Sequence, residues 1–130
     1  PLILELGSGW GNFTIAAAKA LPDCAVQGYE NSPVPYLFSR LAKRIAGCRN
    51  LTFVRADFKT APLEEASCIV CYLHPGAMKA IQEKIEKSIV TKPLYIVSNT
   101  FHIPGWEPLK VYTAKDLYRS KIYLYKVRYA

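Results

Sequence analysis

Three glycines at alternate positions, Gly7, Gly9 and Gly11, separate an apolar run from Leu2 to Leu6 and an alanine-rich stretch from Asn12 to Leu21. Residues without a Cβ take up positive φ readily, so a turn of this kind exposes main chain on which a ligand can lie directly. An ordinary strand-to-helix turn rarely uses three of them. The feature restricts the chain to folds in which a strand feeds a crossover helix at once, with a binding site at the junction. Its spacing restricts the ligand as well. The dinucleotide fingerprint G-x-G-x-x-G needs a glycine at position 12, where the chain has Asn12. What stands instead is Glu5-x-Gly7-x-Gly9-x-Gly11, with an acid two residues ahead of the first glycine. NAD or nucleotide-sugar binding stays open on this ground alone.

The rest of the chain keeps the same alternation. Ala25 to Glu30 reads as a second strand. Ser32-Pro33 is a helix start, and Val34, Leu37, Phe38, Leu41 and Ile45 recur at helical spacing up to a stop at Gly47. Leu51 to Arg55 and Cys68 to Leu73 follow as strands, the latter apolar enough for burial on both faces. Met78, Ile81, Ile85 and Ile89 mark the core face of a third helix, with Glu83 and Lys87 outside at i,i+4. Leu94 to Asn99 is a fifth strand, Phe101 to Trp106 a loop, and Leu109 to Thr113 with Ser120 to Tyr129 an edge hairpin. The alternation predicts an α/β domain spanning residues 1–130. Its sheet is Rossmann-like, doubly wound and seven-stranded, mostly parallel with a C-terminal antiparallel hairpin.

Composition bounds the function. A chain of 130 residues can bury a core without disulfides or metal. No segment approaches the roughly 18 uninterrupted apolar residues that a membrane helix requires. Seventeen Lys and Arg against ten Asp and Glu give a net charge of +7, which favours anionic partners: nucleic acid, an acidic protein face or an anionic membrane surface. The cations, Lys43, Arg44, Lys79, Lys84 and Lys121 among them, form no long run and read as a solvated surface. Cys68 and Cys71 look like a C-x-x-C pair. On a strand, however, residues three apart point to opposite faces, so the two thiols cannot share a metal or a bridge. Free cysteines fit a reducing intracellular compartment, cytoplasmic or other, with any targeting or anchoring segment lying ahead of Pro1.

A second acid completes the pattern around the turn. Glu30 closes the second strand nineteen residues after Gly11, and in a parallel sheet the tip of that strand lies beside the glycine turn. A carboxylate there can accept both hydroxyls of a ribose. Glu5-Leu6-Gly7-Ser8-Gly9-Trp10-Gly11 followed by Glu30 resembles the first motifs of class I S-adenosylmethionine-dependent methyltransferases. The resemblance implies S-adenosyl-L-methionine as cofactor. Its methionine part would lie on Glu5, Gly7, Ser8, Gly9, Trp10 and Gly11, and its ribose on Glu30 beside Asn31. Arg55-Ala56-Asp57-Phe58 is similar to the family's adenine-contacting segment. Asp57 would accept the exocyclic amine, while Phe58 would either stack on the ring or fill the core. Tyr72-Leu73-His74-Pro75 stands where these enzymes meet the methyl acceptor, with Leu73 also touching the cofactor. The tetrapeptide N-P-P-Y or D-P-P-Y, which clamps planar amines, does not occur, and neither does the Pro-Cys nucleophile of cytosine-C5 RNA enzymes.

A narrower resemblance covers nearly the whole chain. Tyr29-Glu30-Asn31-Ser32-Pro33, Phe38-Ser39-Arg40, Leu73-His74-Pro75 and Phe101 through Trp106 are similar to the small protein-lysine methyltransferases of the ATP synthase c-subunit and the adenine nucleotide translocase. That family implies a protein lysine as acceptor. Tyr72, Pro75, Phe101 and Trp106 would then surround the lysine stem, and His74 would be the catalytic proton acceptor or, on the blander reading, a cap on the following helix. Enzymes of that family also carry a segment ahead of the first motif that helps close the cofactor site, which this chain would lack. Two alternatives remain at this stage: a methyltransferase acting on RNA or a small molecule, and a non-catalytic module that keeps the cofactor fold for partner recognition. Oligomeric state is not legible, and no metal is expected.

Overall fold

Leu4 and Leu6 are fully buried in β1 (Leu2–Leu6), an interior strand of the sheet. The computed structural model describes residues 1–71, 73, 75–87, 92–99, 101–113 and 121–127. Along them β1 is followed by α1 (Asn12–Ala20), β2 (Ala25–Tyr29), α2 (Pro33–Ala46), β3 (Leu51–Val54) and β4 (Cys68–Cys71). Then come α3 (Pro75–Lys87), β5 (Leu94–Asn99), β6 (Lys110–Thr113) and β7 (Lys121–Val127). The strand order is β3-β2-β1-β4-β5-β7-β6. The first five strands are parallel, and β7 runs antiparallel to both β5 and β6. This is the expected seven-stranded α/β sheet with its hairpin at one edge. The winding reverses between β1 and β4, and at such a reversal the loops at the carboxyl ends of the strands part to leave a crevice.

Each helix is bounded by local chemistry. Pro33 occupies the first turn of α2, and Gly47 ends the helix at φ 70, its N–H donating to the Lys43 carbonyl at 2.9 Å. Proline at the start and a left-handed glycine at the end are the residues each position favours. On α3, Met78, Ile81 and Ile85 are buried against Leu4, Leu6, Ile69 and Ile96, as their spacing predicts, and Glu83 and Lys87 are exposed. Ile89 lies outside the described residues. On the opposite face, α1 and α2 close a smaller cluster built on Ala18, Val26, Leu51 and Phe53.

α2 is helical where its periodicity says, yet its apolar stripe faces solvent. Val34, Leu37, Phe38, Leu41 and Ile45 are all at least 50% exposed. The helix packs instead through Tyr36, Ser39 and Ala46. Close approach explains the choice: the Ser39 Cβ lies 2.9 Å from where a Cβ on Gly11 would stand, so only a small residue fits between α2 and the glycine turn.

No described helix covers β4 and β5 on the α1 side, where Cys68, Val70 and Val97 are half-buried and Tyr95 is exposed. Cys71 is buried on the other face with Ile69, so the C-x-x-C pair is split across the strand, and all four cysteines are free. Burial pushes the Cys71 thiol up to about 12. Among the described residues no helix is long and apolar enough to cross a membrane.

Candidate functional site

β1 ends inside the sheet at Leu6, and the chain must reverse before α1 begins at Asn12. It does so through Gly7 at φ 74, Gly9 at φ 56 and Gly11 at φ 87, all in the left-handed region that glycine favours. The three differ in what surrounds them. A Cβ on Gly7 would stand 2.8 Å from Leu73 Cδ2, and one on Gly11 would stand 2.8 Å from the Phe53 ring. Among the described residues nothing lies within 4 Å of a Cβ placed on Gly9. The outer glycines therefore let the turn pack, while the middle one leaves bare main chain facing open space at the crevice.

The turn is pinned to the neighbouring strand. Gly7 and Ser8 both donate their N–H to the Tyr29 carbonyl at 2.9 Å, and Gly11 donates to the Ser8 carbonyl at 3.1 Å. Glu30, directly after β2, accepts from Gly9 N–H through Oε1 at 2.8 Å and from Ser32 N–H through Oε2 at 3.0 Å. Its own N–H donates to the Val54 carbonyl at 3.0 Å. One carboxylate thus ties together the turn, β2 and the start of α2. Each of its oxygens keeps a lone pair for a further donor. Asn31, next in the chain, is exposed.

Below the turn, Glu5 is 9% exposed and accepts from the Thr14 hydroxyl at 3.0 Å. Burial pushes its carboxyl up to about 7, partly offset by that hydrogen bond. The Ser8 hydroxyl is buried without a partner. Two residues of this region escape sequence reasoning. Gly28 in β2 has no room for a Cβ, which would stand 2.9 Å from both Ser8 Cβ and the Phe53 ring. Its signal was a glycine inside an apolar strand, which often marks close approach of other main chain. Thr14 carries no comparable signal, because a threonine in a helix is unremarkable until the fold brings Glu5 beside it.

The remaining predicted residues separate into two groups. Leu73 lies against Gly7. Phe101 follows the carboxyl end of β5, and its carbonyl accepts from the Ser98 hydroxyl. Pro75 opens α3, while Tyr72 and His74 lie outside the described residues. Asp57 caps a short 3-10 turn, its Oδ1 accepting from Lys59 N–H at 2.9 Å, and Phe58 packs against the main core. Trp10 packs edge-on against Phe38 of α2, with ring centroids 5.1 Å apart.

Trp106 is not brought beside the glycine turn. Its indole N–H donates to Glu86 near the end of α3 at 3.3 Å, and its ring lies edge-on to Tyr125. Ile103, fully buried, donates its N–H to the Tyr125 hydroxyl of β7 at 2.9 Å, and Gln82 of α3 donates to the Pro104 carbonyl at 2.7 Å, so the loop is held between β7 and α3. Trp106 there borders a separate hollow of about 640 Å³ with Leu109, Tyr125 and Val127.

Residues 5–110 match the family described as the ANTKMT methyltransferase domain. The chain belongs to that family. It is a class I S-adenosylmethionine-dependent methyltransferase domain, as the motif around Gly7, Gly9 and Gly11 implied. A protein-lysine N-methyltransferase of Saccharolobus islandicus (strain REY15A) is 26% identical to this methyltransferase, over 97% of this chain and 79% of its own length. An RNA methyltransferase from Salinibacter ruber, solved with S-adenosyl-L-homocysteine, superposes with a TM-score of 0.82 at 24% identity, covering 97% of this chain and 80% of the other. A SAM-dependent methyltransferase from Aquifex aeolicus gives 0.76 at 11% identity over 98% and 82% of the two chains. At these identities the structural likeness speaks for the fold.

Proposed function

We propose that this methyltransferase carries a methyl group from S-adenosyl-L-methionine to the side-chain amine of a protein lysine. The observation that carries the cofactor site is the glycine turn held by Glu30, with bare main chain open to the crevice at Gly9. The groups there fit the ligand. The open Gly9 main chain takes an amino-acid moiety, and below it the buried Glu5 carboxyl, held by Thr14, supports the turn on which that moiety would lie. Glu30 retains lone pairs for the ribose hydroxyls. Leu73 would close one side of the cofactor, and Asp57 with Phe58 would edge the adenine, Phe58 lending mainly its core packing.

When bound, the cofactor supplies an electrophilic methyl group on a sulfonium centre. The protein's task is then to present an amine that is neutral and aligned. Lysine has a free pKa near ~10.4, so deprotonation at pH 7 costs about 4.6 kcal/mol. Holding two reactants in near-attack geometry can supply ~7–11 kcal/mol of the barrier. Phe101 and Pro75, with Tyr72, are the proposed walls of the lysine channel, and His74 is the proposed acceptor of the ammonium proton. Trp106 enters only as the residue that seats the loop on α3. The lysine acceptor is supported by the name of the archaeal relative and by the missing planar-amine tetrapeptide.

The test is incubation of the protein with methyl-labelled cofactor and a cell lysate, followed by hydrolysis of the labelled product. Label in methylated lysine is expected. Label recovered in RNA, lipid or a small metabolite would reject the acceptor.

A further inference from the structure

Among the described residues nothing covers the outward face of α2. Val34, Leu37, Phe38, Leu41 and Ile45 form a line along the helix with exposures from 50% to 80%. Trp10 and Phe13, each about half exposed, extend it from Phe38 towards α1. Soluble surfaces rarely hold so long an apolar stretch without a partner. Side chains this exposed stand up as a ridge, and a ridge enters a soft surface better than it receives a peptide.

The charges that α1 and α2 themselves carry are of one sign. Neither α1 nor α2 contains an acidic residue, and between them they carry Lys19, Arg40, Lys43 and Arg44. Three of these cations gather at a hollow of about 490 Å³ between α2 and β3, lined by Tyr36, Arg40, Lys43, Arg44, Thr52 and Phe53. Among the described residues no carboxylate lines it. The Arg40 guanidinium lies 5.8 Å from the centre of the Tyr36 ring, which helps hold it at the rim. The cations look scattered along the sequence; helical spacing places Arg40 and Arg44 on one flank of the apolar line.

We propose that this face docks the domain on a bilayer rich in anionic phospholipid, the ridge entering the acyl boundary and the Arg40, Lys43 and Arg44 hollow seating lipid phosphates. A helix with Val, Leu, Ile and Phe on one side and Lys and Arg beside them, here extended by the Trp10 and Phe13 rings, has the form that lies in the membrane interface. Cations at such a surface each add attraction to acidic lipid. A second copy of the chain is a poorer occupant, because pairing two ridges would bring two cationic flanks together. Nucleic acid would engage the cations and leave the apolar ridge in water. The proposal is independent of which molecule accepts the methyl group.

The experiment is co-sedimentation of the protein with vesicles of equal parts phosphatidylserine and phosphatidylcholine, and with phosphatidylcholine alone. Binding to the acidic vesicles and little to the neutral ones is expected. Replacing Arg40, Lys43 and Arg44 together by Gln should lower the partition coefficient roughly 100-fold. A Leu37→Ser, Leu41→Ser double variant should lose binding at high salt, where only the apolar contribution survives. These side chains are exposed, so circular dichroism and melting should match the parent in every variant. No binding to acidic vesicles would overturn the proposal. So would a dimer in sedimentation equilibrium that the Leu variants dissolve, or binding to a uridine homopolymer that the Gln variants abolish while vesicles go unbound.

Discussion

Glu5 lies on β1 and Glu30 directly after the adjoining β2, and their surroundings set the two carboxyl groups to different work. Glu30 accepts two main-chain N–H groups and remains accessible. Glu30→Ala should weaken S-adenosylmethionine affinity by roughly 1–3 kcal/mol, the loss for charge-assisted hydrogen bonds. Calorimetry reads this directly, and an unchanged dissociation constant in a normally folded variant would make the acid a mere strut for the turn. Glu5 is buried with one hydroxyl donor, and its carboxyl moves from an ordinary 4.5 up to about 7. Burial favours the protonated form, so the folded chain binds this proton more tightly than the unfolded one. The stability it contributes is fully present below about 4.5 and is lost as the pH rises through about 7. The whole swing is at most about 3 kcal/mol. Glu5→Gln should therefore flatten the fall in melting temperature across that window, whereas parallel curves for parent and variant would show that Glu5 is not the titrating group.

Elements were the most legible level of the sequence. The strands and helices fall where apolar runs, Pro33 and Gly47 put them, because capping and turn chemistry are local. What a helix faces is not local. The stripe on α2 has the period of a core face, yet Ser39 wins the contact because Gly11 leaves room for nothing larger. The course of the Phe101 to Trp106 loop is likewise not local: the Tyr125 hydroxyl holds Ile103 and α3 holds Pro104 and Trp106 through Gln82 and Glu86, and no spacing rule encodes those bonds. Contact between the glycine turn and β2 rests on Gly28. Gly28→Ala would drive a methyl group into Ser8 and Phe53 and should lower stability by about 1–3 kcal/mol, as overpacking does. Thermal melting checks it, and a melting temperature equal to the parent's would mean that β2 and the turn are free to move apart.

At the scale of the molecule, the reversal of winding between β1 and β4 gathers Glu5, the glycine turn, Glu30 and Leu73 at one end of the sheet. This part of the candidate site was readable in advance, since a motif at a strand end is carried to the crevice by topology alone. The cationic hollow on α2 was not, because a net charge of +7 says nothing about which cations share a face. The ligand of the crevice decides what this domain does. Isothermal calorimetry of the chain with S-adenosylmethionine and with NAD tests it most directly, alongside Gly9→Val, which places a β-branched side chain at φ 56 in the open cradle. The parent should bind S-adenosylmethionine in preference to NAD, and the variant should lose that binding. Preference for NAD, or a folded Gly9→Val chain that binds S-adenosylmethionine as the parent does, would contradict the assignment.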